Sequence, residues 1–434
     1  MKKNLIPIVP IKLIIPFIIV SFLFALWGFA NAITDPMVQA FKKVLELKNV
    51  QAAWIQMAFY GGYFCMAIPA ALFIKKFTYK KGILVGLGLY AIGTFIFYPA
   101  ALHEKFWIFC LGLYVLTFGL AFLETTASPY ILSMGDKKTA IQRLNLAQFF
   151  NPMGLISGLF VAQNFILKQL ESDNITNFSM LDEYTKTIIR TSDLMIIRDP
   201  YLILGFFVTI FFLIIFFYKM PKNGETEKNG NLSKEINGLI CNKRYTYGVV
   251  AQTFYVGAQI MCWTYIYQYC ESIGVNNANA ANYQFFAFIL FFIGRGMGTI
   301  LFRFKDPKSL LNIFSSFCIL LVTGTIFIGG FFGLYCLIGI SFFMSIMFPT
   351  IYGISLSEMD ENEKKIGAAG QVMAIVGGAI MPMLQSIIID LGGSGVDDII
   401  ILGVNEINIS FMLPLICFMY ILFYSFIILS NKML

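Results

Sequence analysis

Twelve apolar stretches follow one another along this chain, at 12–40, 50–74, 83–101, 106–134, 144–167, 200–218, 246–270, 280–302, 309–330, 332–357, 366–390 and 409–430. About 20 apolar residues carry an α-helix across the hydrocarbon core of a bilayer. Inside lipid every backbone N–H and C=O needs a partner within the protein, and a single stretch meets that need only by coiling. The pattern predicts an all-α integral membrane protein with twelve transmembrane helices. Only 13% of the residues are charged, roughly half the share of a soluble chain.

Two long polar segments interrupt the series, 168–199 after the fifth stretch and 219–245 after the sixth. The second is rich in Lys, Glu, Asn and Gly, shows no apolar periodicity and reads as a linker. It falls midway. The expected organisation is an N-terminal six-helix half, 1–218, a cytoplasmic linker, 219–245, and a C-terminal six-helix half, 246–434. No residue-level repeat relates the halves. The equal count alone suits a two-half transporter.

Of the 31 basic residues, 22 fall in the termini and in the loops on their side of the membrane. Eight fall in the loops on the other side, and Arg295 alone lies in a span. Basic loops stay inside, so both termini are expected in the cytoplasm, and the Ile-, Lys- and Asn-rich usage points to a bacterial chain and so to an inner membrane. The net charge of +7 is therefore a matter of topology and implies no nucleic acid.

Several functions are excluded. His103 is the single histidine and sits in a loop, and the eight cysteines form no CxxC pair. No metal site, disulfide framework or cofactor is expected. Gly294, Gly296 and Gly298 follow no strand and make no nucleotide loop, and no Walker A lysine is present. A membrane enzyme such as a lipid-linked glycosyltransferase would need a DxD or HExxH motif, and neither occurs. A sensor would need an added domain, and no segment is long enough for one.

A carboxylate at membrane depth costs about 2.5–3.5 kcal/mol on insertion scales, so it calls for a cavity, a partner or a proton. Two lie within the spans, Asp35 just before Pro36 in helix 1 (12–40) and Glu124 deep in helix 4 (106–134). Asp35 could instead lie near water at its helix end, and Glu124 could bond between helices. Arg295, in FFIGRGMGT of helix 8 (280–302), could brace the bundle or touch a ligand. Amides form stripes. Asn145, Gln148 and Asn151 stand three apart in helix 5 (144–167) and share a face. Gln252, Gln259 and Trp263 share one in helix 7 (246–270), with Tyr255 beside it. Amides that face an aromatic ring can bind a sugar, since amides meet hydroxyls and a ring face meets C–H groups. They could equally be glue between helices.

At this point the chain resembles the fucose/galactose/glucose:proton symporters of the major facilitator superfamily, the L-fucose permeases among them. The motifs are IQMAFYGGYF, LETTASP, RLNLAQFFN, AQTFYVGAQIMCW, FIGR and FMSIMFPTIY, in order over nearly the whole length. The resemblance implies two six-helix halves, the major facilitator fold, around a sugar site near the midplane that opens to each side in turn. Asp35 and Glu124 match that family's cavity acids, one tied to proton movement and the other to sugar. Asn31 and the helix 5 amides match polar residues of the same cavity. Two positions depart from the family. Ala32 replaces an amide of the NNLND-type motif, and Ser128 precedes Pro129 where AANP is usual.

The expectation is a proton-coupled hexose importer, L-fucose first. Glucose, galactose or N-acetylglucosamine carried by the same mechanism, or another small polar solute, are the alternatives. In this reading Asp35 loads the proton. Glu124 accepts hydrogen bonds from sugar hydroxyls, and Asn31, Asn145, Gln148, Asn151, Gln259 and Trp263 complete the pocket. Arg295, Gln252 and Tyr255 line or brace it. The protein is expected to work as a monomer in the lipid bilayer, with the proton as its only coupling ion.

Overall fold

A computed structural model describes residues 6–45, 49–175, 181–222, 232–391, 393, 399–401 and 403–430. Among the described residues, eleven helical segments are long and apolar enough to cross a membrane. Helix 7, Lys243–Thr264 continued by Ile266–Ser272, does not join them, because Gln252 and Gln259 lower its hydropathy. It is nevertheless long enough to span and packs as the twelfth.

Helix 1 (Ile14–Val44), helix 2 (Asn49–Lys76), helix 4 (Phe106–Ser133) and helix 8 (Asn277–Leu301) are continuous. Helix 3 runs Tyr79–Phe95 and on through Phe97–His103, and helix 9 is Pro307–Phe327. Helices 5, 7, 10, 11 and 12 are each divided partway along. Helix 5 divides into Ala140–Gln148 and Phe150–Val161, and helix 7 bends at Tyr265. Helix 10 divides into Gly330–Met344 and Met347–Leu356, and helix 11 into Glu361–Met373 and Gly377–Ile389. Helix 12 is Glu406–Ser410 followed by Met412–Leu429. Broken helices at membrane depth are tolerated where they face protein or a cavity.

The pairing of helices repeats. Helix 1 packs on helix 5, 2 on 4, 3 on 4, and 3 on 6. In the same offsets, helix 7 packs on helix 11, 8 on 10, 9 on 10, and 9 on 12. Between the halves, helix 2 meets helix 11 and helix 5 meets helix 8. A two-fold plan is thus present in the packing where none shows in the residues. Small residues set the closest approaches. A Cβ on Gly28 of helix 1 would lie 2.2 Å from the carbonyl oxygen of Asn151, and one on Gly377 of helix 11 would lie 2.2 Å from that of Thr253.

Two expected loops contain helix. Residues 183–199, expected as polar loop, are the start of helix 6, which runs Glu183–Phe217. Asp182 caps it, accepting from the Thr185 N–H at 3.0 Å. Ile189, Asp193, Leu194 and Ile197 bury one face, and Asp193 accepts the N–H groups of Glu171 and Ser172 at 2.9 and 3.1 Å. At 1.5 Å per residue this helix is about 52 Å long, and its first part stands clear of a core about 30 Å thick. Within the expected linker, Leu232–Cys241 forms a short helix. It buries Leu239 and pairs its Glu235 with Lys75 of helix 2.

Candidate functional site: a cavity between the halves

A small cavity lies where the halves meet. Its N-terminal wall carries Phe24 and Trp27 of helix 1, Glu124 of helix 4, and Gln148 and Asn151 of helix 5. Its C-terminal wall carries Tyr255 and Gln259 of helix 7, Arg295 of helix 8 and Phe348 of helix 10. Helices 5 and 10 are broken beside it.

Glu124 is 3% exposed. Ser128, one turn on, donates its hydroxyl to Glu124 Oε1 at 2.8 Å, and the Gln148 amide donates to the same oxygen at 3.4 Å. Among the described residues no side chain donates to Oε2, which is left to the cavity. Asn151 turns its amide to the Phe24 carbonyl at 3.3 Å, which ties helix 5 to helix 1 where Gly28 lets them touch. The Tyr255 hydroxyl is buried and has no hydrogen-bond partner among the described residues. One wall thus offers a carboxylate oxygen and amides, the other a phenol, an amide and a guanidinium. Phe24, Trp27 and Phe348 add ring faces. This donor and acceptor set suits the hydroxyls and C–H faces of a small polyhydroxylated molecule.

The helix 5 stripe is longer than expected and changes character along its length. Gln142 donates to the Thr299 carbonyl of helix 8 at 2.9 Å. Asn145 donates to the Thr350 hydroxyl of helix 10 at 3.3 Å. Gln148 accepts Arg295 Nη1 of helix 8 on its carbonyl at 3.0 Å. These are three successive steps on one face, each reaching across to the C-terminal half on the side of the termini. Asn145 therefore sits in the seam below the cavity and not on its wall.

Other expected residues are also off the wall. Trp263 is buried, donates to the Ser341 hydroxyl at 3.2 Å, and is met edge-on by Phe288 and Phe291 at 4.7 and 5.1 Å. Gln252 is fully buried, and neither amide atom is bonded among the described residues. Asn31 bonds back to the Trp27 carbonyl at 3.4 Å. The side chain of Asp35 lies outside the described residues, although its backbone belongs to helix 1. Ser128, Gln142, Phe24, Trp27 and Phe348 were not expected at the site. Ser128 was legible as the residue four after Glu124, and Gln142 as one more step of the amide stripe.

The chain matches the Major Facilitator Superfamily over residues 17–382. It is 51% identical to the L-fucose-proton symporter of Haemophilus influenzae over 423 residues, 96% of each chain. It is 35% identical to the L-fucose-proton symporter of Escherichia coli K12 over 387 residues, 88% of each. A crystal structure of the transporter FucP in the outward conformation superposes with a TM-score of 0.85 at 33% identity, covering 95% of this chain and 98% of that one. By packing, by length and by sequence, the chain belongs to the major facilitator superfamily.

Proposed function

We propose that this protein imports L-fucose, or a closely related hexose, together with a proton, by alternating access between its halves. The observation that carries the reading is the placement of Glu124: a buried carboxylate, held by Ser128 and Gln148 on one oxygen, with the other left to a cavity rimmed by amides and aromatic rings. The names of the relatives point to the same sugar and ion. In water a carboxylate is well solvated, whereas in a closed dry cavity the bare anion is costly. Protonation removes that cost, so the loaded cavity can close. Asp35, nearer the outer side in the expected topology, takes the proton first, and Glu124 receives the sugar hydroxyls. Both termini and the linker face the cytoplasm, and residues 1–218 and 246–434 form the moving halves. One chain supplies every cavity wall, so a monomer suffices.

The test is uptake of labelled L-fucose, D-galactose, D-glucose and N-acetylglucosamine into membrane vesicles with an imposed proton gradient. L-Fucose accumulates and is lost on adding an uncoupler. Accumulation that survives the uncoupler overturns proton coupling, and accumulation of a different solute overturns the sugar assignment.

A further inference from the structure

Arg295 donates to two backbone carbonyls, and a proline has deprived each of its helical partner. Its Nε reaches the Ser345 carbonyl at 2.7 Å and its Nη1 reaches that of Gln148 at 3.0 Å. In an α-helix the carbonyl of residue i takes the N–H of residue i+4. Four residues beyond Gln148 stands Pro152, and four beyond Ser345 stands Pro349. Proline has no N–H to give. Helix 5 breaks at Phe149 and helix 10 at 345–346, just before these prolines. No lipid or bulk water can replace the missing donor at this depth. The planar fork of an arginine carries separated donors in fixed directions and so reaches two acceptors on different helices, whereas a lysine brings its donors to a single point. The guanidinium is also buried over the Phe291 ring, 4.6 Å from its centroid.

The two carbonyls differ in one respect. Ser345 is in the same half as Arg295, and Gln148 is in the other. The Gln148 side chain in turn donates to Glu124. We propose that Arg295 is a state-specific staple: it closes the seam beneath the cavity through the carbonyl that Pro152 frees, and lets that carbonyl go when the cavity opens toward the termini. Arg295 is then a positioning residue. It holds Gln148, and Gln148 holds the carboxylate that meets the solute. The inference rests on alternating access and not on which solute is carried.

Pro152→Ala tests it without touching the arginine. The new N–H at 152 competes for the Gln148 carbonyl from within helix 5, and alanine suits a helix, so the chain folds. Phe24→Cys on the cavity wall, in a chain whose exposed Cys65 and Cys241 are changed to serine, reports access. The readout is its reaction with a membrane-impermeant maleimide in right-side-out and inside-out vesicles. P152A and R295Q each raise labelling from the side of the termini roughly tenfold, the scale of one charge-assisted hydrogen bond. The double variant labels no faster than R295Q, because both changes remove the same bond. Labelling unchanged by P152A, or effects that multiply in the double variant, overturns the staple. Labelling from the side of the termini that is already maximal in the parent chain overturns the staple, because the seam is then not closed by it.

Discussion

Ser128 donates its hydroxyl to the carboxylate of Glu124, one helical turn back, at 2.8 Å. Both residues are buried on helix 4. A hydrogen bond to a charged group contributes about 1.5–3 kcal/mol, and this one decides which carboxylate oxygen faces the cavity. Ser128→Ala is expected to raise the KM for sugar roughly tenfold with a smaller change in kcat, and Ser128→Thr to restore it. Uptake kinetics in vesicles check this. An unchanged KM in S128A would mean that the serine merely packs.

Glu124→Gln keeps the shape and amide contacts of the site but cannot take up and release a proton. Uphill accumulation of sugar is expected to fall to the background of empty vesicles. Asp35→Asn is expected to lose uphill accumulation and keep sugar exchange down its own gradient, as the proposed division of roles between Asp35 and Glu124 requires. Counterflow and gradient-driven uptake, measured side by side, separate the two roles. Intact accumulation in D35N would remove Asp35 from the coupling path.

Gly28→Ala places a methyl group against the Asn151 carbonyl, where a Cβ has 2.2 Å. Overpacking of this kind costs about 1–3 kcal/mol. The variant is expected to melt at lower temperature and to bind sugar more weakly, because helix 5 carries Asn151 and Gln148 away with it. Thermal unfolding in detergent, with and without sugar, reads both effects. A melting temperature equal to the parent's would show that the helices part without cost.

Asp182 lies outside the membrane at the start of helix 6. The Thr185 N–H and hydroxyl hold its carboxyl below the usual carboxylate range. A group lowered on folding lends its support above its ordinary value and loses it only as pH falls through the lowered one. The cap is thus complete at neutral pH and fails in strong acid. Asp182→Ala is expected to speed hydrogen exchange at 183–187 at neutral pH and leave uptake unchanged. Exchange that matches the parent's would show that the cap is idle.

Much of this was legible in the sequence, and what was not had physical reasons. Span length located the helices, and the cost of an ionised group in lipid singled out Glu124, Gln148's neighbour across the cavity wall. Periodicity tells which face a residue occupies but not its depth. Asn145 and Gln148 share a face, yet one sits in the seam and the other at the cavity. On helix 7 the aromatic residue at the wall is Tyr255, four before Gln259, and not Trp263, four after it. Both spacings place a ring on the same face. The outer part of helix 6 escaped because it is polar, and outside the bilayer a helix needs only a cap and one apolar stripe. The Arg295 contacts depend on Pro152 and Pro349, in two different helices, and no local pattern joins them.

The seam on helix 5 has rungs at Gln142, Asn145 and Gln148, about 4.5 Å apart along the axis. Take the cavity as the fulcrum of a rocking motion between the halves. The rung at Gln142 then has the longest lever arm and parts widest for a given angle, while the one at Gln148 has the shortest. The seam unfastens from its far end toward the cavity. A small tilt already hydrates the outer rungs while the last still holds, so water reaches the floor of the cavity before the passenger can leave through it.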